Sequence, residues 1–282
     1  MRSKSNLRPS PIAGQWYPDN PGTLASSVDG YIDDADLPVI EGEVIAVIVP
    51  HAGHRYSGPV AGYAFSALRG LEPDLVAVVS PMHQPYPQPL LTSAHDAYQT
   101  PLGTLPIDRG AIDELDTALQ TELGFGLTPI QHDSEHSLEI ELPFLQRALP
   151  GKFSLIPVMM RDQSARVARA LGTALVDVLR DRNCILVAST DLSHFYPQAV
   201  AMKLDAEVLR RVEALDPDAV LRVEEEGKGY ACGRGALAAV LWAAKDLGAD
   251  SVKILNYATS GDITADFTQV VGYASAVITR QT

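Results

Sequence analysis

Three histidines in this chain, His51, His83 and His194, each stand at or just past the end of a short apolar run. The runs are VIAVIVP, DLVAVVSPM and CILVASTDLS; each reads as a buried strand entering a turn, too short for an average helix. In an open α/β fold, ligands collect outside the carboxyl ends of the strands, so imidazoles distant in sequence are expected around one pocket. Cys232, in GYACGRGALAAV, stands where a helical pattern begins. Backbone N–H groups there would depress its thiol pKa. His51, His83 and Cys232 make a set of borderline and soft donors for a first-row transition metal, with Fe(II), Cu and Zn all compatible. His194 is left for proton transfer, and Asp191 on the same turn would orient its ring. The plainer reading is a set of loop-holding histidines and a buried helix-end thiol; the repeated strand-to-turn placement favours chemistry.

Glu135 and His136, in DSEHS, form a second polar centre. Glu135 reads as a cap for backbone donors, and His136 as a pocket residue contacting substrate or supporting the other groups, although capping alone explains much of the pattern. His54, His95 and His132 have weaker claims; His54 is close enough in sequence to His51 to matter, or simply faces water. Arg55 and Arg234 would meet an anionic group or fix a loop, and Trp16 and Tyr17 would anchor an N-terminal arm or touch substrate. No GxGxxG, GxxxxGK[ST] or GxSxG pattern is present, which disfavours nicotinamide, nucleotide triphosphate and serine hydrolase chemistry.

Positioning these groups falls to strands expected near 44–50, 75–80, 152–160, 184–190, 251–259 and 268–279, the last two pairing antiparallel across GDITAD. Between them the spacing predicts helices over about 59–68, with Pro59 in the first turn, and over DRGAIDELDTALQTEL, with Asp108 as cap and an apolar stripe from Ala111 to Leu123. Others are predicted in SLEIELPFLQRAL and near 164–179, 199–215 and 233–247, with EEEGKG as a solvated turn. Residues 81–103 read as a long Pro/Gln-rich loop. The pattern predicts an α/β fold, three-layer α/β/α with a mixed, mainly parallel central sheet. One domain is expected over 1–282, with residues 1–10 a flexible lead.

The 282 residues are 46% hydrophobic, enough for a substantial core, and the formal charge of -13 disfavours nucleic acid and anionic membrane surfaces. Apolar runs fall well short of the ~20 residues a bilayer span requires. No secretory signal is legible, so the two cysteines are expected unpaired and the protein cytoplasmic.

PIAGQWYP, VPHAGHRYSGPVAGYAF, SPMH, DAYQTPLG, DSEHSLEIELPFLQ, STDLSH, ACGRGAL and YATSGD…VVGYA occur in order from near residue 9 to near 279. Through them the chain resembles the MEMO family, including the proteins called AmmeMemoRadiSam system protein B. That family is similar in fold to class III extradiol dioxygenase catalytic subunits. The resemblance implies His51 and His83 as imidazole ligands, Cys232 in the third ligand position, where those dioxygenases use a glutamate, and His194 as the proton-transfer residue. Asp191 and His136 would then tune or orient the pocket. It also implies a dioxygenase-like oxidoreductase acting on a phenolic or related small substrate, with Fe(II) preferred, Cu second and Zn last. The alternative it implies is a non-catalytic iron- or copper-binding or interaction protein working with AMMECR1-like and radical SAM partners. Two departures stand out: His54 replaces the tyrosine more common after HAG, and TAD replaces the usual TGD in the last turn. The oligomeric state is not legible.

Overall fold

The computed structural model describes residues 6–281. Its main sheet has nine strands, and four of them carry the architecture. Glu43–Val49, Cys184–Ser189, Leu75–Pro81 and Ser154–Met160 lie side by side in that order, all parallel. They are Val/Ile-rich and almost wholly buried, as strands covered on both faces must be. On one side Val270–Arg280 adds antiparallel to Glu43–Val49 and carries Ser251–Thr259 and the short strand His194–Tyr196. On the other, Leu90–Ser93 adds antiparallel to Ser154–Met160, followed by Thr128–Ile130.

Helices complete a three-layer α/β/α fold. Arg109–Leu123, Ala165–Leu179 and Arg234–Asp246 pack together in one layer; Pro21–Asp33, His54–Ser66 and Leu142–Ala148 form another. In Arg109–Leu123 the predicted stripe of Ala111, Ile112, Leu115, Leu119 and Leu123 is buried, and Asp108 accepts from the Ala111 N–H. Each fully buried leucine contributes about 1.5–3 kcal/mol relative to exposure, so the stripe determines which face docks. Pairing of 251–259 with 268–279 is antiparallel as expected, across Ser251–Thr259 and Val270–Arg280.

Several expectations are corrected. The helix predicted from Pro59 begins at His54, leaving Pro59 inside it. Tertiary packing compensates for the missing N–H: Gly62 lies so close to the Tyr31 carbonyl that a Cβ would collide, and Val60, Ala61, Ala64 and Phe65 are buried. The supposed long loop holds Leu90–Ser93, Ala97–Thr100 and Gly103–Pro106, four-residue strands too short to show a period. A helix over Pro217–Glu225, capped by Asp216, precedes the acidic turn. The lead ends earlier than expected, because Leu7–Arg8 pairs with Ala97–Tyr98 in a small second sheet; residues 1–5 of that lead lie outside the described residues. Among the described residues, no helix is long and apolar enough to cross a membrane.

Candidate metal centre

Adjacent parallel strands end at one edge of the sheet, and the chemistry collects there. His51 follows Glu43–Val49, His83 follows Leu75–Pro81, and Asp191 follows Cys184–Ser189. His136 arrives on the loop before a 3-10 turn at Glu139–Glu141. Candidate donor atoms of His51, His83 and His136 all lie within 4.8 Å of one another. The His83 and His136 rings stack with centroids 4.8 Å apart, and His51 stands edge-on to both. Cys232 lies beside this trio: its Sγ is 3.1 Å from His51 Nε2.

Cys232 reaches that place because Gly233 passes so close to the Ser189 carbonyl that no Cβ would fit. Gly233 N–H donates to Thr190 Oγ1 at 2.9 Å, Cys232 N–H to Asp191 O at 3.1 Å, and Asp191 N–H to Cys232 Sγ at 3.2 Å. The helix start is thus stitched to the end of a central strand. Both cysteines are free thiols, Cys232 buried and Cys184 half-buried.

Glu135 organises two of the imidazoles. Its Oε1 lies 2.9 Å from His83 Nδ1 and 3.2 Å from His136 Nδ1. It also accepts from the His136 and Ser137 N–H groups, while Oε2 accepts from the His83 N–H at 2.6 Å. Burial opposes its charge, but the hydrogen bond from His83 and the neighbouring imidazoles outweigh that and hold its carboxyl well below the usual range. A carboxylate only accepts, so His83 Nδ1 donates and its Nε2 is left as the ligating lone pair, whereas His136 is tied to Glu135 through its backbone N–H. On the third ring, His51 Nδ1 is 2.9 Å from Ser189 Oγ, whose hydroxyl lies 2.9 Å from Glu141 Oε1 and 2.7 Å from Ser137 O.

Burial sets the charge states. It lowers His136 to about 4 and His51 well below the ordinary imidazole value, the latter helped by the neighbouring rings. It lowers His194 too, partly offset by the Leu192 carbonyl. The thiol runs opposite to expectation: burial, reinforced by the Asp191 charge, raises Cys232 above the usual thiol range and outweighs the backbone N–H donors. Burial likewise pushes Asp191 up to about 7.

The remaining sequence candidates divide clearly. Asp191 does not orient His194; its Oδ1 accepts the His51 N–H at 2.7 Å, while His194 Nδ1 faces Leu192 O at 2.7 Å. His194 stands outside the trio but close enough for its charge to act on His51. His54 follows neither expectation: it is buried between Tyr17 and Phe144 with Nε2 2.9 Å from Ile140 O, and stands outside the imidazole trio. His95 is buried beside Ser93, and Arg234 pairs with Glu224. Trp16 does touch the site, stacking on His136 with centroids 4.0 Å apart, while the Tyr17 hydroxyl donates to Glu139. Sequence reasoning missed Ser189, Glu141 and the double role of Glu135. The DSEHS pattern held a signal only for Glu135, as a cap.

Fold and cluster together define an α/β protein with a histidine-rich candidate metal centre at the carboxyl ends of its central strands. The Memo-like protein family model matches residues 8–277, and the chain belongs to that family. A MEMO1 family protein of Methanopyrus kandleri is 37% identical over 282 residues, covering 95% of this chain and 98% of its own. One from Nitrosopumilus maritimus is 33% identical, with the same coverage of each chain. Among solved structures, an uncharacterized protein of Escherichia coli K12, JW3007, superposes with a TM-score of 0.51 at 15% identity, covering 83% of this chain and 100% of that one; this likeness concerns the fold alone.

Proposed function

We propose that this protein is a non-haem metal-dependent oxidoreductase, dioxygenase-like, acting on a phenolic or related small substrate, with Fe(II) as its preferred metal, Cu second and Zn last. The observation that carries the reading is His51: its Nε2 meets the Cys232 thiol while the same ring borders His83 and His136. The His51 and His83 rings, each with its Nδ1 hydrogen-bonded away from the thiol side, and the adjacent thiol fit a borderline divalent ion. His51, His83 and Cys232 would hold it. When bound, the ion supplies a Lewis acid for a phenolic oxygen and, as iron or copper, redox capacity.

His136, wedged between Trp16 and His83, forms the wall against which substrate is oriented. His194, with Nδ1 facing Leu192 O, presents Nε2 as proton acceptor, and its lowered pKa keeps that nitrogen free at neutral pH. Asp191 holds the His51 backbone in place.

Anaerobic wild type, H51A, H83A, H136A and C232A proteins would be compared by elemental analysis and X-ray absorption. The expected result is about one metal per chain, mixed N/S coordination, and loss in H51A, H83A and C232A. Substrate-dependent oxygen uptake unchanged in H194A and C232A would overturn the roles given to His194 and Cys232, and no uptake in metal-loaded wild type would overturn the enzymatic reading.

A second reading is favoured by the trio itself, which closes within 4.8 Å without the thiol. It is a non-catalytic iron- or copper-binding protein using His51, His83 and His136, in the service of AMMECR1-like and radical SAM partners. Nitrogen-only coordination with no oxygen uptake would favour it.

A further inference from the structure

Phe195, which directly follows the proton-transfer histidine, has no role in the reading above. Its backbone lies in the left-handed region at φ 64, a conformation glycine adopts freely and a bulky residue does not. The pairing of His194–Tyr196 with Val270–Arg280 is irregular at this point, and such a bulge re-aims a side chain. Burial cannot explain the conformation, because Phe195 is 69% exposed. What its ring meets is His194: the centroids are 5.7 Å apart and the planes at 72°. Tyr230, half-buried and two residues before Cys232, meets the same imidazole at 5.7 Å and 84°. Two aromatic rings, one exposed and one half-buried, thus meet the His194 imidazole edge-on.

We propose that Phe195 and Tyr230 are specificity residues, forming an aromatic slot at His194 that admits a planar phenolic ring in preference to an aliphatic metal ligand. The proposal rests on the metal-centre reading and adds to it the residues that choose the substrate class. A ring brought to His194 Nε2 meets aromatic edges and faces, contacts that an aliphatic chelator of the same donor chemistry does not reproduce. The strained backbone at Phe195 then has a reason: it sets the ring against the His194 imidazole.

The test uses the full chain loaded anaerobically with Fe(II), and two probes titrated by absorbance: 4-nitrocatechol, planar and phenolic, and acetohydroxamate, aliphatic. Phe195→Gly should weaken 4-nitrocatechol roughly tenfold, by an aromatic contact of the usual size, and leave acetohydroxamate unchanged. Phe195→Trp should restore the aromatic preference. Phe195→Gly should melt at or above the wild-type temperature, since glycine relieves the strain; this separates loss of the ring from damage to the fold. Equal weakening of both probes, unchanged 4-nitrocatechol affinity in the metal-replete variant, or dissociation of an oligomer on losing Phe195 would each overturn the proposal and leave the metal centre standing. Wild type that takes up no metal would overturn the metal reading and this inference with it.

Discussion

Glu135 Oε1 lies 2.9 Å from His83 Nδ1, and the same oxygen lies 3.2 Å from His136 Nδ1. One buried carboxylate thus fixes the tautomer of the His83 ring and, through the His136 backbone N–H, the place of a second ring facing the same space. Glu135→Gln keeps the shape but replaces one acceptor oxygen with an amide donor, so it cannot serve all these N–H groups. The expected outcome is a roughly 10–100-fold loss of metal affinity with near-native circular dichroism. Competition with a chromophoric chelator measures it, and unchanged affinity would remove Glu135 from the site.

Trp16 stacks on His136, whereas the second tryptophan, Trp242, lies on the helix Arg234–Asp246 beside Arg169. A paramagnetic ion at the imidazole trio should quench Trp16 strongly and Trp242 weakly. Titration with Cu(II) should therefore quench wild type and Trp242→Phe, while Trp16→Phe loses most of the effect. Equal quenching in both variants would place the ion elsewhere.

His54 supplies a pH dependence. Burial lowers it to about 4 in the folded protein, against 6.5 as the ordinary value, despite the helpful Ile140 carbonyl. The unfolded chain therefore binds the proton first, and stability is lost as pH falls from about 6.5 towards 4. At pH 5 the loss from this residue amounts to about 2 kcal/mol relative to pH 8. Urea unfolding at both pH values should show a smaller drop in His54→Gln than in wild type; an identical drop would assign the acid sensitivity to other groups.

Arg8 is 3% exposed, donates from two nitrogens to Asp133, forms an ion pair with Glu139 and donates to the Glu135 carbonyl. It connects the N-terminal segment to the loop that carries the imidazole support. Arg8→Met leaves two buried carboxylates without their cation, an imbalance that costs about 3–5 kcal/mol. The urea midpoint should fall accordingly. A variant as stable as wild type would show that those acids find other partners or protonate cheaply.

Sequence alone determined the elements whose signal is local. The Val/Ile runs ending before His51, His83 and Asp191 are strands because β-branched residues bounded by turns have few other ways to be buried. The Ala111–Leu123 stripe and its Asp108 cap are likewise written in neighbouring residues. The rule that ligands gather at strand ends then brought His51 and His83 into one place before any coordinates. Tertiary structure decided what depends on partners far along the chain. Ser154–Met160 and Cys184–Ser189 flank Leu75–Pro81 through pairing that no local pattern encodes. His136 joins the imidazoles, Glu135 turns from a cap into their support, and Asp191 serves His51 rather than His194. The expected lowering of the Cys232 thiol was reversed because desolvation at the crossing of Gly233 with Ser189 exceeds the pull of a few N–H groups. Burial is a property of the whole packed chain, and the charge state of this site follows from it.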